Sequence, residues 1–261
     1  MLMSADYLDE DGSLRCGVCH KRKQIKINIM GKEHTVNCLC DCEAKERQKI
    51  EERFRREEQQ RDLSRRRSIG LQERRFWEWK FENDNGSNPK MSIARDYVKN
   101  WKKMKTENVG ILLMGPPGTG KSFMAGCIAN ALLDQGERVM MTNFSKVLNE
   151  LTAYHADKNA IIQRLTEYPL LIIDDLGIER SSEFALEQIY NVIDSRYCSK
   201  KPLVVTTNLT MQEMKAPDLD VSKQRIYSRI FEMCVTVFCG GEDQRQDEGM
   251  QKMRKLQEIL Q

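Results

Sequence analysis

The strongest chemical signature in the chain is the segment GILLMGPPGTGKS, residues 110–122, which contains the pattern G-x-x-x-x-G-K-[ST] without a gap. This pattern is typical of a phosphate-binding loop between a strand and a helix, because its glycines let backbone N–H groups turn inward around phosphate oxygens. Lys121 is expected to reach the β- and γ-phosphates of a nucleotide, and Ser122 to offer its hydroxyl to Mg²⁺. A glycine turn that binds no nucleotide is the alternative, which the agreement of strand context, spacing, Lys and Ser disfavours. The other residues assigned to the nucleotide are Gly115, Pro116, Pro117, Gly118, Thr119, Gly120 and Phe123.

A pair of carboxylates ends the apolar segment LLIIDDLG, residues 170–177. Asp174 is expected to hold the metal, directly or through water, and Asp175 to polarise the attacking water. Many related ATPases use Glu in the second position, and the shorter Asp leaves the water about one methylene further away. Slow or partner-stimulated turnover is therefore expected. An ordinary strand end capped by acids is the alternative.

The next apolar segment, LVVTTN, ends in the amide of Asn208. An amide at this point is placed to orient the attacking water between the two carboxylates and the γ-phosphate. Asn is also a common turn former at strand ends, so the residue alone does not decide between the two roles. Beside the loop and the acid pair, the sensor role is favoured.

A second centre is indicated by five cysteines within residues 16–42, arranged as a C-x-x-C pair and a C-x-C-x-C run around a predicted hairpin at residues 23–37. Such spacing can wrap a tetrahedral Zn²⁺, and a segment this short needs the metal for much of its folding free energy. Cys38 is the alternative ligand, and His20 and His34 compete for the same positions. An Fe–S cluster and reactive free thiols remain the other interpretations. The favoured zinc ligands are Cys16, Cys19, Cys40 and Cys42.

The bulk composition sets limits on both centres. The chain has 261 residues, 40% hydrophobic and 31% charged, which is enough for one main domain and a small appendage. The 42 Lys and Arg against 39 Asp and Glu give a net charge of +3, which excludes a histone-like grip on nucleic acid but not a local basic patch. The acidic start and the lack of long apolar windows predict a cytoplasmic protein that neither crosses a membrane nor carries a secretion signal.

Residues 42–70 contain hardly any apolar side chains, and Ile50, Phe54 and Leu63 are too sparse for a sustained heptad. The segment is therefore predicted to be a solvated helical linker, with a coiled coil as the alternative and Gly70 as its end. The expected organisation is a zinc-binding partner-interaction module at residues 1–50, a charged helical linker at 51–75 and an ATPase domain at 76–261.

The second half of the chain alternates apolar runs with helix-length segments, which is typical of an α/β fold with a parallel sheet wrapped by helices. Strands are expected at residues 110–114, 138–142, 170–174, 203–207 and 234–238. Helices are expected at residues 91–104, 122–135, 145–155, 160–167, 183–199 and 223–231, with a short helical tail at 247–260.

The phosphate loop, IIDDLG, VVTTN and the later RIYSRI together resemble the AAA+ ATPases, and among them the DnaC-type and DnaI-type helicase loaders and their IstB-like transposition-helper relatives. The resemblance covers roughly residues 76–250. It implies an AAA+ P-loop NTPase with a parallel sheet flanked by helices, and the cysteine segment resembles the amino-terminal zinc module of the DnaI-type loaders. The segment after Arg245 is too short for the full C-terminal helical lid of many AAA+ proteins.

The resemblance also implies roles for three arginines. Arg229 matches the finger that reaches the ATP of a neighbouring subunit, and Arg225 lies four residues before it on the same helical face. Arg245 matches a second sensing arginine against the phosphates. The alternative for Arg225 and Arg229 is a pair of surface salt bridges. The DNA contacts of the family fall here on Lys146, Tyr154, His155, Ser182 and Phe184.

The function implied is an ATPase that uses ATP, Mg²⁺ and Zn²⁺, assembles into a spiral or ring, binds single-stranded DNA and loads a hexameric replicative helicase of the DnaB type. The first alternative is an IstB-like transposition helper, which the zinc module disfavours. The second is a nucleotide-switched interaction protein with little hydrolysis, which Asp175 keeps open. A P-loop kinase would leave the sensor and finger motifs unexplained. A phage or prophage origin fits a loader this compact.

Overall fold

The computed structural model describes residues 6–177, 182–241 and 243–260. The chain divides into two compact units, Met1–Asp62 and Leu63–Gln261. The division falls inside residues 51–75, where the charged linker is predicted. Within the described part of the chain, every helix is too short or too polar to pass through a lipid bilayer.

The first unit contains two small antiparallel pairs. β1 (Tyr7–Leu8) pairs with β2 (Leu14–Arg15), and β3 (Gln24–Ile29) pairs with β4 (Lys32–Asn37). The predicted hairpin is therefore present, and its two-residue turn consists of Met30 and Gly31, with φ angles of 51° and 80°. Two successive positive φ angles are typical of a tight hairpin turn whose twist matches that of the strands.

The charged segment forms one long helix, α1 (Asp41–Gly70), which ends at the predicted glycine. Its surface is mostly exposed, and pairs such as Arg47 with Glu51 follow the i,i+4 spacing that stabilises a solvated helix. A side chain at Gly70 would overlap the carbonyl group of Val139. Gly70 and Val139 both belong to the second unit, and the glycine lets the last turn of the helix lie directly against Val139 within that unit.

The second unit is built on a five-stranded sheet in the order β6-β7-β8-β5-β9, and every pair is parallel. The prediction of a parallel α/β fold is confirmed. β7 continues through the acid pair instead of ending at residue 174, and β6 begins one residue later than predicted. The strands are β5 (Gly110–Met114), β6 (Val139–Thr142), β7 (Leu170–Leu176), β8 (Leu203–Thr207) and β9 (Cys234–Phe238).

Helices connect and cover the strands. Short 3₁₀ helices at Arg74–Glu78 and Phe81–Asn83 precede them, and one helix follows β9 within the residues that the structure describes. The helices are α2 (Met91–Lys99), α3 (Trp101–Thr106), α4 (Lys121–Asp134), α5 (Phe144–Leu151), α6 (Lys158–Glu167), α7 (Glu183–Cys198), α8 (Met211–Met214), α9 (Val221–Met233) and α10 (Gln244–Leu260).

The helix predicted at residues 145–155 ends earlier, at Leu151. Thr152 caps this end, and its hydroxyl donates to the carbonyl of Leu148 at 2.9 Å. His155 then adopts a φ of 61°, which an α-helix cannot contain. Tyr154 and His155 therefore lie in the turn between α5 and α6 rather than on a helix.

The four strands β5 to β8 are buried almost throughout and are mainly apolar, whereas Val235 and Phe238 of the edge strand β9 are exposed. Along β5, Ile111 and Leu113 pack with α4 on one face, whereas Leu112 and Met114 belong to the core on the other face. Successive side chains of a strand point to opposite faces, so a strand covered on both sides reads as a continuous apolar run. The apolar runs therefore predicted the positions of the strands from the sequence.

The charged residue Arg196 lies fully buried next to the segments that precede β7 and β8. The guanidinium of Arg196 donates to the carbonyl oxygens of Thr166 (3.2 Å), Tyr168 (2.7 Å), Pro169 (3.0 Å) and Pro202. Burial lowers the pKa of Arg196 to about 9, so the group stays charged at neutral pH. These bonds fasten the segments that lead into β7 and β8, the strands whose far ends carry the acid pair and Asn208.

Replacing Arg196 with Met should lower the free energy of unfolding by about 2–4 kcal/mol, because several buried carbonyls lose their donor. Chemical denaturation followed by circular dichroism measures this loss. Lys201→Met is the matched control, since Lys201 donates to the carbonyls of Thr166 and Glu167 from a less buried position. Equal losses in the two variants would contradict a special role for Arg196.

Candidate functional site

The phosphate loop leaves β5 and enters α4, as the motif predicts. Gly115 has a φ of 152°, and a side chain there would overlap the carbonyl of Cys239. Gly120 precedes the helix in the left-handed region, with a φ of 78°. Only glycine adopts this sequence of conformations without strain, and it directs backbone N–H groups of the loop towards an anion at the helix N-terminus.

Lys121 places a positive charge at the centre of this loop. Its side chain is only 5% exposed, and its ammonium group donates to the carbonyls of Gly115 (2.8 Å) and Pro116 (2.6 Å). Thr119 also bonds to the Pro116 carbonyl, at 2.9 Å. The lysine is therefore positioned by the loop itself, within reach of the phosphate oxygens that the loop would surround.

The acid pair lies in a β-bulge. The register of β7 against β8 pairs Ile173 with Val205 and then Leu176 with Thr207, so Asp174 and Asp175 together face one residue of β8. Asp175 adopts a φ of 59°, which costs an L-residue of this type about 1 kcal/mol or more. The bulge interrupts the alternation of the strand. Consequently, both Asp174 and Asp175 line the same cavity as the phosphate loop.

Asp174 is held where a metal ligand is required. Burial raises the pKa of its carboxyl group, whereas hydrogen bonds from the hydroxyls of Thr206 and Ser122 counteract that rise and the neighbouring Asp175 adds to it. A buried carboxylate bonded to the loop serine is a suitable oxygen ligand for Mg²⁺. Ser122 and Asp174, the two predicted magnesium ligands, are thus brought together.

Asn208 lies at the end of β8, between β5 and β7. Its side-chain nitrogen is 3.5 Å from a carboxylate oxygen of Asp175. It lines the same cavity as the loop and the acid pair. The structure therefore brings together Lys121, Ser122, Asp174, Asp175 and Asn208.

The cavity has a volume of about 380 Å³, within the range of small-molecule sites. One wall is the phosphate loop with the acid pair. The other wall comes from the segment before the sheet, which sequence reasoning did not assign to the site. Its residues are Arg75, Trp79, Asn83, Asp84, Asn85, Ser87, Asn88 and Met91.

Packing between Trp79 and α4 fixes this second wall. A side chain at Gly126 of α4 would overlap the indole ring of Trp79, and the ring of Phe123 lies 6.3 Å from it in an edge-on arrangement. The guanidinium of Arg75 lies over the same indole at 5.6 Å. The density of aromatic and basic residues in RRFWEWKFE was the signal that could have marked this segment.

The predicted finger arginine lies on α9 and outside the cavity lining. Arg229 forms an ion pair with Asp194 of α7 at 2.6 Å, and its guanidinium lies over the rings of Tyr190 and Tyr197. Arg225 donates to the hydroxyl of Tyr190 at 2.8 Å. Both arginines therefore lie on one surface of the unit and do not contact the phosphate loop of their own chain.

The predicted DNA-contact residues differ in their exposure and in their hydrogen-bond and ion-pair partners. Lys146 forms an ion pair with Glu73 at 2.6 Å, and Ser182 caps α7 through the N–H of Ala185. Tyr154 is 91% exposed, and its ring lies 4.0 Å from that of His155. Phe184 is partly exposed below the ammonium group of Lys158. The side chain of Arg245 lies outside the described residues.

In the first unit, the structure brings together the thiols favoured as zinc ligands. The sulfur atoms of Cys16, Cys19, Cys40 and Cys42 all lie within 4.8 Å of one another. Cys42 is 3.3 Å from Cys16, 3.1 Å from Cys40 and 3.5 Å from Cys19, close to the edge of about 3.8 Å expected for four sulfurs around Zn²⁺. The fifth thiol, Cys38, instead faces the carbonyl of Arg22.

The electrostatics of the cluster fit a cation. Hydrogen bonds from the backbone of Cys19 and Val18 lower the pKa of the Cys16 thiol to about 6. Hydrogen bonds with the sulfur atoms of Cys40, Cys16 and Cys19 raise the pKa of Cys42 to about 12, because they favour its protonated form, and burial adds to the rise. Four thiolates this close are stable only around a metal ion, so the donor set fits Zn²⁺.

The zinc content of cysteine variants should distinguish the four proposed ligands from Cys38. We expect about one zinc per chain in the wild type and in Cys38→Ser, and little zinc in Cys42→Ser, because Cys42 contacts every other thiol of the group. Metal analysis of the purified proteins measures this. Loss of zinc in Cys38→Ser would contradict the assignment, and iron with visible absorption would favour the Fe–S interpretation.

Comparisons with known proteins agree with this geometry. A family model described as IstB-like ATP binding protein matches residues 22–252. The replicative helicase loader DnaC of Escherichia coli K12 is 28% identical over 48% of this chain and 51% of its own length. A putative ATP-binding protein in an insertion sequence of Mycobacterium tuberculosis H37Rv is 31% identical over 56% of this chain and 62% of its own. These matches therefore span only about half to three fifths of each relative.

The fold comparison gives the same result. A crystal structure of DnaI superposes with a TM-score of 0.56 and 23% identity, and covers 69% of this chain and 98% of that one. At this identity the likeness concerns the fold alone, which is that of an AAA+ P-loop protein. The phosphate loop, the acid pair and Asn208 meet in one cavity. Since the family model matches residues 22–252, which is most of the chain, the chain belongs to the family of IstB-like ATP-binding proteins.

Proposed function

We propose that this protein is an ATP-hydrolysing loader that engages single-stranded DNA and a hexameric replicative helicase. The observation that carries the proposal is the division of its catalytic groups. The acid pair and phosphate loop share one cavity, whereas Arg229 lies on a separate surface. The relative from Escherichia coli that is named a replicative helicase loader supports helicase loading as the function.

Within one chain, the geometry supports the following roles in hydrolysis. Lys121 would bind the β- and γ-phosphates, and Ser122 and Asp174 would hold Mg²⁺, which would supply positive charge beside the phosphates. Asp175, in contact with Asn208, accepts a proton from the attacking water. The short side chain of Asp175 is consistent with slow turnover by an isolated subunit.

Arg229 supports assembly as a condition for fast turnover. A guanidinium that cannot reach its own cavity is useful in catalysis only if it reaches the cavity of a second copy. Asp194 and two tyrosine rings hold it in a defined orientation at the surface. We therefore propose a spiral or ring in which each subunit completes the site of its neighbour.

DNA binding is supported by the turn between α5 and α6. The exposed ring of Tyr154 beside His155 offers a stacking surface for a base. The Lys158 ammonium group over Phe184 adds a cation and a second ring. Lys146 contributes to this surface only if it leaves Glu73, so it is the weakest member of the proposed set.

The cysteine unit is proposed to bind the helicase. Its hairpin exposes apolar side chains, with Met30 fully exposed and Ile25 and Ile29 about half exposed. Apolar residues clustered on a small unit of this kind favour a protein partner. Zinc held by the four thiols would keep this unit folded while it binds.

A second candidate function is a transposition helper, which the relative in an insertion sequence favours. Such a protein would use the same ATPase core to assemble on DNA and recruit a transposase. A third, a nucleotide-dependent switch with little hydrolysis, is favoured by Asp175. The three differ in partner and turnover rather than in the nucleotide site.

The first test is size-exclusion chromatography with light scattering of the zinc-loaded protein mixed with the replicative helicase of its host, with and without ATP and Mg²⁺. We expect a complex with the helicase that is lost when residues 1–50 are removed. ATP-driven assembly on DNA without a helicase complex would instead support the transposition helper.

The Arg229→Ala variant tests the division of the site between subunits. We expect it to bind ATP normally but to lose assembly-stimulated turnover by about 100-fold or more, since finger arginines contribute factors on the order of 10³ to 10⁵. Phosphate release in the presence of DNA and helicase measures this. Arg164→Ala is the matched control, because Arg164 also forms a surface ion pair, with Glu150. Unchanged turnover in Arg229→Ala would contradict the proposal that Arg229 acts in the ATP site of a neighbouring subunit.

A further inference from the structure

The fully buried Thr206 contacts both members of the acid pair with one hydroxyl group. Its oxygen donates to the Asp174 carboxylate at 2.7 Å and accepts from the backbone N–H of Asp175 at 2.9 Å. A threonine hydroxyl has one proton to donate and lone pairs to accept, so both bonds can exist together. Sequence analysis assigned no role to this residue.

The bulge in β7 explains why this contact is needed. In a regular parallel pair the N–H of Asp175 would bond to the neighbouring strand, but the extra residue removes it from the ladder. The Thr206 hydroxyl replaces the missing acceptor, and thereby supports Asp175 in its left-handed conformation. A buried N–H without a partner would be costly, so the hydroxyl stabilises the bulge.

The same hydroxyl also orients the metal ligand. One oxygen of Asp174 accepts a hydrogen bond from the hydroxyl of Thr206, and the carboxylate is also bonded to the hydroxyl of Ser122. The carboxylate is thus held by two hydroxyls, one from Thr206 on β8 and one from Ser122 after the phosphate loop. Loss of a group that orients a metal ligand typically costs about 10- to 100-fold in metal affinity or activity.

We propose that Thr206 is a positioning residue of the ATPase site, which sets the orientation of Asp174 towards Mg²⁺ and the backbone of Asp175 towards the attacking water. The inference rests on the proposed hydrolysis of ATP. Thr206 also lies two residues before Asn208 on the same strand. A shift of the end of β8 is therefore transmitted to the metal ligand, the proton acceptor and the sensor amide together.

The neighbouring Thr207 provides a matched control. It is equally buried on the same strand, but its hydroxyl donates to the carbonyl of Leu176 at 2.7 Å and accepts from the N–H of Leu209 at 3.1 Å. It touches neither carboxylate through these bonds. Replacing either threonine with Val removes one buried hydroxyl of the same size.

The experiment compares Thr206→Val, Thr206→Ser and Thr207→Val in ATP turnover across a Mg²⁺ titration. For Thr206→Val we expect the half-saturating Mg²⁺ concentration to rise, and maximal turnover to fall, by about 10- to 100-fold. Thr206→Ser and Thr207→Val should stay close to the wild type. Binding of a fluorescent ATP analogue in Mg²⁺-free buffer without chelator should be unchanged in all variants, because the loop and Lys121 are intact.

A wild-type Mg²⁺ dependence in Thr206→Val would overturn the proposal, as would an equal loss in Thr206→Ser or Thr207→Val. Circular dichroism checks folding, and Thr206→Ala replaces the valine variant if that variant does not fold. Failure of the proposed function has a different signature: the wild type itself would not hydrolyse ATP. In that case, Mg²⁺-dependent tightening of the ATP analogue still tests Thr206 by the same comparison.

Discussion

The position of β8 between β5 and β7 is the constraint on which the candidate nucleotide site depends. Because all strands are parallel, their carboxyl ends lie along one edge of the sheet, and this order places Asn208 between the phosphate loop and the acid pair. In a sheet that followed the chain order, β6 would lie between β5 and β7 and would separate the phosphate loop from the acid pair and Asn208. The buried Arg196 holds the segments entering β7 and β8, so stability at one edge of the sheet supports geometry at the other.

Three buried charges of the second unit have different surroundings. The guanidinium of Arg196 is fully buried and donates to carbonyl oxygens of the chain. Lys121 bonds to carbonyls of a loop that lines a cavity, and Asp174 bonds to hydroxyls at the edge of the same cavity. Charged groups that line a cavity can meet a ligand of opposite charge, whereas the enclosed charge of Arg196 serves the fold.

The cysteine unit relies on a different source of stability. Its strands are short and mostly exposed, so burial of apolar surface contributes little. The four close thiols form a cluster whose spacing is suited to a metal ion, which would take the place of a core. The second unit, by contrast, is held by two apolar cores on either side of its sheet.

The sequence by itself determined the elements and the groups within each motif. Continuous apolar runs identified the strands because most of the sheet is buried on both faces. Local spacing was sufficient for the phosphate loop, whereas it left Cys38 open as a fifth candidate ligand that only the structure separates from the other thiols. Local spacing could not indicate the strand order, the bulge that turns Asp174 and Asp175 towards one cavity, or the wall formed by Arg75 and Trp79, because these depend on residues far apart in the chain. The role of Thr206 was hidden for the same reason: its partners are 31 and 32 residues away, and only the pairing of β7 with β8 brings the hydroxyl to them.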